Sequence, residues 1–228
     1  MDLSASTPRL RREQVAGMNI HYIMWSLDYF LDAQQRLGFK TIELWAAEPH
    51  VTLDHTGYFE ADELRRKIES RGLSVSSLCP ENVVYPWQYA ARKPLHAQRS
   101  LAYFKHGIEL AEVLGAPYMS INSGWGDWDE DREEAWKRSA EHLAILADYA
   151  GEHGVTLCME SLRPEESNLV VTLADARRML DQVASPHLTP MVDTTAMGVA
   201  GESLEEWFAE FGGSRRKCWC KGDTLAPV

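Results

Sequence analysis

The sequence predicts an α/β fold of the (β/α)8, TIM-barrel type, incomplete, with about six strand–helix units present. Three observations predict it. Short apolar runs alternate strictly with helix-like stretches, the order that builds a parallel sheet covered by helices. Gly38, Gly72, Gly115 and Gly154 each stand just past a helical stretch, where a residue in the left-handed conformation stops a helix. Polar groups recur at the C-terminal ends of the runs, the rim on which such barrels carry their chemistry.

The expected strands are Met18–Met24, Thr41–Trp45, Leu73–Leu78, Tyr118–Asn122, Val155–Glu160 and Thr189–Asp193. Between and after them fall the expected helices Leu27–Leu37, Glu60–Arg71, Leu95–Leu114, Glu130–His153, Leu173–Val183 and Leu204–Phe211. The fourth helix opens on Asp129, Glu130, Asp131, Glu133 and Glu134, which suit the positive end of a helix dipole. Its apolar positions Trp136, Ala140, Leu143, Ala147 and Ala150 keep the helical period. A doubly wound sheet is the alternative, but no Gly-x-Gly-x-x-Gly follows any strand, which removes the signature of its dinucleotide-binding form. The domain reading is an N-terminal extension over 1–16, a partial barrel over 17–213 and an atypical tail over 214–228. That tail is basic and holds Cys218 and Cys220. Six strands leave open sheet edges, which call for a covering partner such as a second copy of the chain, a homo-oligomer.

With 228 residues, 45% of them apolar, the chain has material for a real core. Its 23 basic against 34 acidic residues give a formal charge of −11, which argues against a nucleic-acid surface. Apolar stretches fall far short of the roughly 20 residues that a membrane span needs, and the first residues lack the apolar core of a signal peptide. Cys79 and Cys158 lie in apolar runs and read as buried reduced thiols. The expectation is a cytoplasmic protein with a small-molecule partner. A Cys-x-Cys metal clip at 218 and 220 is disfavoured by its spacing.

Glu160 and Asp193 end apolar strands one strand–helix repeat apart. A carboxylate there is desolvated unless a cation or strong donor meets it, so the pair reads as oxygen ligands of a divalent cation, with a salt-bridged rim acid as the plainer alternative. Glu166 and Glu81 lie on loops past the fifth and third strands, and His50 follows the second. Trp45, Trp87 and Trp125 stand at or after strand ends, where they read as walls for a sugar or as packing. His21 reads as a core histidine.

At these residues the chain resembles the sugar phosphate isomerase/epimerase family with the xylose-isomerase-like barrel, and within it the fructoselysine and ketose 3-epimerases. The matching stretches are Leu37–Trp45 with Pro49-His50, Cys79-Pro-Glu81 with Tyr85-Pro86, Met159–Asn168 and Met191-Val-Asp193. Of these, the Glu-x5-Glu-Ser-Asn piece from Glu160 to Asn168 is the most specific.

The resemblance implies C3 epimerisation of a ketose or fructosamine through an enediolate. Glu160 would be both metal ligand and acid/base group, Asp193 the second ligand of Mn²⁺, Co²⁺ or Mg²⁺, and Glu166 a contact to a substrate hydroxyl. Glu81, His50 and Trp45 would complete the sugar site. The family's later histidine and glutamate ligands find no match, since no histidine follows His187. The expectation is therefore a truncated or frame-shifted chain with impaired turnover. The alternatives are a non-catalytic sugar-binding remnant and, more remotely, an endonuclease IV-like nuclease. The nuclease needs a histidine at position 196, where Ala196 stands.

Overall fold

The computed structural model describes residues 14–83, 85–212 and the strand 219–221. Seven parallel strands form one sheet: β1 (Gly17–Met18), β2 (Thr41–Ala46), β5 (Ser74–Pro80), β6 (Tyr118–Ile121), β7 (Thr156–Glu160), β8 (Leu188–Asp193) and β9 (Trp219–Lys221), neighbours in that order. A two-stranded antiparallel hairpin, β3 (Leu53–Asp54) with β4 (Gly57–Tyr58), interrupts the alternation after β2. The helices are α1 (Leu27–Arg36), α2 (Ala61–Glu69), α3 (Pro94–Val113), α4 (Arg132–Glu152), α5 (Leu173–Val183), α6 (Thr194–Val199) and α7 (Leu204–Phe211). Among the described residues β1 pairs only with β2 and β9 only with β8, so the sheet is open between its first and last strands.

Side chains alternate across each strand. Ile42 and Leu44, Leu78, Met119 and Ile121, Leu157 and Met159, and Val192 are fully buried against the helical layer. The intervening positions, among them Trp45, Cys79, Ser120, Cys158 and Glu160, make the opposite, more polar face. On that face the carboxylate of Glu43 is close enough to act on the Cys158 thiol, which burial foremost, and Glu43 second, push far above its ordinary value. Cys79 and Cys158 are thus buried free thiols, as expected. Cys218 and the Cys220 side chain lie outside the described residues.

Gly38, Gly72, Gly115 and Gly154 all take positive φ, between 67° and 77°, and end their helices as the sequence predicts. The end of α5 has no glycine. Ala184 is forced into the same conformation at φ 53°, where its N–H bonds to Leu180 O. A Cβ costs roughly 1 kcal/mol there, so Ala184→Gly is expected to stabilise the fold by about 0.5 kcal/mol, read as a higher denaturant midpoint at constant m-value.

Two expectations are corrected. The first strand stops at Met18, and Asn19–Tyr22 form a 3-10 helix. Asn19 is the cause: its side chain accepts from Trp45 N at 2.7 Å and donates to Trp45 O at 3.0 Å, taking the place of the next rung of the β1–β2 ladder. His21 therefore lies on that short helix, exposed, and is no core histidine. The tail also contributes to the sheet. Trp219–Lys221 pair in parallel with Met191–Asp193, one strand beyond the six apolar runs, and the rest of 214–228 and most of 1–16 lie outside the described residues. No helix among the described residues is long and apolar enough to cross a membrane.

Candidate active site

The C-terminal strand ends carry two hydrogen-bonded groups of polar side chains. The first belongs to β7 and β8. These strands pair directly, Glu160 opposite Met191, so Glu160 and Asp193 end neighbouring strands. Both are buried, 4% and 7% exposed. Asp193 caps α6, its Oδ1 accepting from Thr195 N at 2.6 Å and Ala196 N at 3.0 Å; among the described residues no hydrogen bond engages its Oδ2.

The loop after Glu160 is sewn to the loop after β6, and this gives the Glu-x5-Glu-Ser-Asn spacing its physical meaning. Ser167 Oγ donates to Gly124 O at 2.7 Å. Asn168 makes a two-way bond with Gly126, Oδ1 accepting at 2.8 Å and Nδ2 donating at 2.9 Å. Arg132 of α4 then donates to the carbonyls of Asn168 and Leu169, both at 2.7 Å. With its next two residues fastened, Glu166 has a fixed place at the mouth. Arg163 grips it from within the loop, Nη2 to Oε1 at 2.5 Å and Nε to Oε2 at 3.1 Å. That bond, together with the negative field of Glu165 and Asp193, holds the guanidinium above its ordinary pKa.

The second group belongs to β2, β5 and the chain after β1. Trp45 Nε1 donates to Glu81 Oε2 at 2.9 Å, and Val83 N donates to Glu81 Oε1 at 3.2 Å. Asn19, 0% exposed, reaches beyond Trp45 to His50, with its Nδ2 2.9 Å from Nδ1. Nε2 of the same ring lies 2.8 Å from Trp25 O. The amide NH₂ can only donate and the carbonyl only accept, so the ring proton sits on Nε2. Both nitrogens of His50 are engaged. The histidine therefore orients this wall, and its ring stands edge-on to Trp45 at 6.5 Å between centroids.

The structure thus brings Glu160 and Asp193 together, fixes Glu166 on the same side, and joins Trp45, Glu81 and His50 in one network. Trp87 is a packing residue, stacked on Tyr103 at 4.2 Å, whereas Trp125 lines two clefts at the mouth. Asn19 was not legible as a site residue, and Ser167 and Asn168 were legible only as part of the Glu-x5-Glu-Ser-Asn pattern. A polar residue closing an apolar run was the available signal for the first. Among the described residues no group of three or more His, Cys, Asp or Glu side chains gathers to hold a metal. Two buried carboxylates on adjacent strand ends are hard oxygen donors of the kind that could hold a divalent cation.

A profile of the xylose isomerase-like TIM barrel family matches residues 31–217. The chain belongs to this family. Among its relatives in the xylose isomerase-like family, fructoselysine 3-epimerase of Shigella flexneri is 29% identical over 187 residues, which cover 82% of this chain and 67% of that protein. The solved D-allulose 3-epimerase of a Methylomonas species, in complex with D-allulose, superposes with a TM-score of 0.74 at 18% identity, covering 91% of this chain and 70% of that one. The IOLI protein with a bound zinc atom gives a TM-score of 0.68 at 18% identity, covering 83% and 66%.

Proposed function

We propose that the chain acts on a ketose or fructosamine as a divalent-metal-dependent 3-epimerase. The observation that carries this reading is the pair of buried carboxylates, Glu160 and Asp193, at the ends of adjacent parallel strands. Its relatives in the family include 3-epimerases of fructoselysine, psicose and ribulose, and one solved neighbour contains D-allulose.

Glu160 is the base. Its carboxylate is buried at the end of β7, placed to take the C3 proton on one face; inversion then requires a solvent-derived proton delivered to the opposite face, a role that the pair itself does not fill. Asp193, fixed by the two α6 amides, and Glu160 are the residues that would hold Mn²⁺, Co²⁺ or Mg²⁺. When bound, such a cation would supply positive charge to stabilise an enediolate. Glu166, kept in register by Ser167, Asn168 and Arg163, accepts from a sugar hydroxyl. Trp45 forms the facing wall, held by Glu81 and Asn19, with His50 behind it.

A second reading, sugar binding without turnover, is favoured by the absence of a third metal-ligating side chain at the pair among the described residues. Exchange of the C3 proton with solvent separates the two readings. Epimerase action requires exchange, whereas binding alone leaves the C–H bond intact.

A further inference from the structure

The mouth holds a second acid at the level of Glu160. The register that pairs Leu78 with Met119, and Ile121 with Met159, sets residue 81 level with Asn122 and Asn122 level with Glu160. Neighbouring strands lie roughly 4.8 Å apart, so two intervals set the backbones of Glu81 and Glu160 roughly 10 Å apart along the rim. Both side chains lie on the polar face. Glu160 does so by alternation along β7, and Glu81 because its Oε2 accepts from the indole of Trp45, on that same face. Asn122 between them commits its amide to the loops, Nδ2 donating to Asn82 O at 2.8 Å and Oδ1 accepting from Gly124 N at 2.7 Å. Among the described residues no three acids, histidines or cysteines gather to hold a metal, so Glu81 faces the Glu160–Asp193 pair and does not join it.

Glu81 is fixed in place yet free to change its proton. Tyr103 OH donates to its backbone carbonyl at 2.9 Å, and Val83 N and Trp45 Nε1 each donate to one carboxyl oxygen. Both of those donors are neutral, and among the described residues no ion pair involves Glu81. A carboxylic acid keeps acceptor capacity on its oxygens, so the two bonds survive protonation. Glu166 differs, because the Arg163 guanidinium grips both its oxygens and ties it to a permanent cation. His50 has both ring nitrogens engaged. Of these mouth residues, Glu81 is the one facing Glu160 that can hold and release a proton.

We propose that Glu81 is the second acid/base group of the epimerisation, acting on the face of C3 opposite Glu160. The proposal rests on the reading of the strand-end site as a ketose site. In one direction Glu160 takes the C3 proton, the C–H electron pair becomes the C2–C3 double bond, and the carbonyl pair moves onto the C2 oxygen. Glu81, as the acid, then gives its proton to C3 from the other side while the carbonyl re-forms. Glu81 is left ionised and Glu160 protonated, and exchange with water restores both. In the reverse direction the two swap roles. Carboxyl groups that work from opposite faces of a sugar in inverting glycosidases stand roughly 6.5–9.5 Å apart. Two side chains converging from backbones roughly 10 Å apart are long enough to reach that separation.

The test is deuterium incorporation at C3 from D₂O, with the full chain, Mn²⁺ and either D-fructose or its C3 epimer D-psicose, read by NMR. The parent is expected to label both ketoses and to interconvert them. Glu81→Gln is expected to label only the epimer whose C3 proton faces Glu160, within about threefold of the parent rate, and to slow interconversion by about 10²-fold or more. Glu81→Asp, which keeps an acid, is expected to recover interconversion to within about tenfold of the parent. Thermal melts show that each variant is folded. A merely structural role for Glu81 would slow labelling of both epimers and interconversion together. That result, or interconversion by Glu81→Gln at the parent rate, overturns the assignment and leaves the ketose reading intact. A parent that labels neither ketose overturns both.

Discussion

Replacing Glu160 by Gln is expected to lower the rate of C3 proton exchange in a bound ketose by about 10³-fold, roughly 4 kcal/mol of barrier, with the fold retained. The amide keeps the shape of the carboxylate but can neither accept the C3 proton nor contribute negative charge to a cation beside Asp193. The loss should fall on kcat more than on ketose affinity, because Glu166 and the Trp45 wall are untouched. Exchange followed by NMR gives the rate, and a thermal melt on the same sample shows that the protein is folded. Exchange in Glu160→Gln at the parent rate would remove Glu160 from the role of base.

Asn19→Ala is expected to destabilise the fold by about 2–4 kcal/mol, the largest single-residue effect outside the apolar core. Its side chain carries three hydrogen bonds at a fully buried position, two to the Trp45 backbone and one to His50. Truncation leaves the Trp45 N–H and C=O without the partners that replace the β1–β2 ladder, and His50 Nδ1 without its donor. Denaturant unfolding measures the loss. Ketose affinity should fall in the same variant, since the Trp45–Glu81 wall is tethered through this residue. A loss below about 0.5 kcal/mol would show that backbone pairing or water replaces the amide at little cost.

The strand ends were legible because burial on both sides of a parallel strand demands an uninterrupted apolar run, and a carboxylate closing such a run stands out. That pattern located Glu160 and Asp193 and set the bounds of β7 and β8 to within a residue. The α5 and α7 helices coincide with the expected ranges because their amphipathic periods are clean and Thr172 and Ser203 cap them. What escaped has physical causes. β1 is two residues long because an asparagine side chain continues its ladder, and no periodicity records a side chain acting as backbone. The hairpin of β3 and β4 is too short to alternate. β9 is three residues long in a basic, cysteine-containing stretch, so its place beside β8 is set by the sheet and not by local propensity. The specificity of Glu-x5-Glu-Ser-Asn was visible as a pattern, but its reason, two residues fastened to Gly124 and Gly126 across the mouth, is a tertiary contact. His50 was legible as a mouth residue. Its use of both ring nitrogens for Asn19 and Trp25 was not.

Hydrogen at C3 decides whether the strand-end carboxylates turn a sugar over. Incubated in D₂O with Mn²⁺ and a ketose or fructosamine, the full chain is expected to place deuterium at C3 and to generate the C3 epimer, both read by ¹H and ¹³C NMR, and to lose both on chelation of the metal. A ketose that binds, seen by calorimetry in the same buffer, yet keeps its C3 proton through prolonged incubation would contradict the assignment of Glu160 and leave a sugar-binding barrel without turnover.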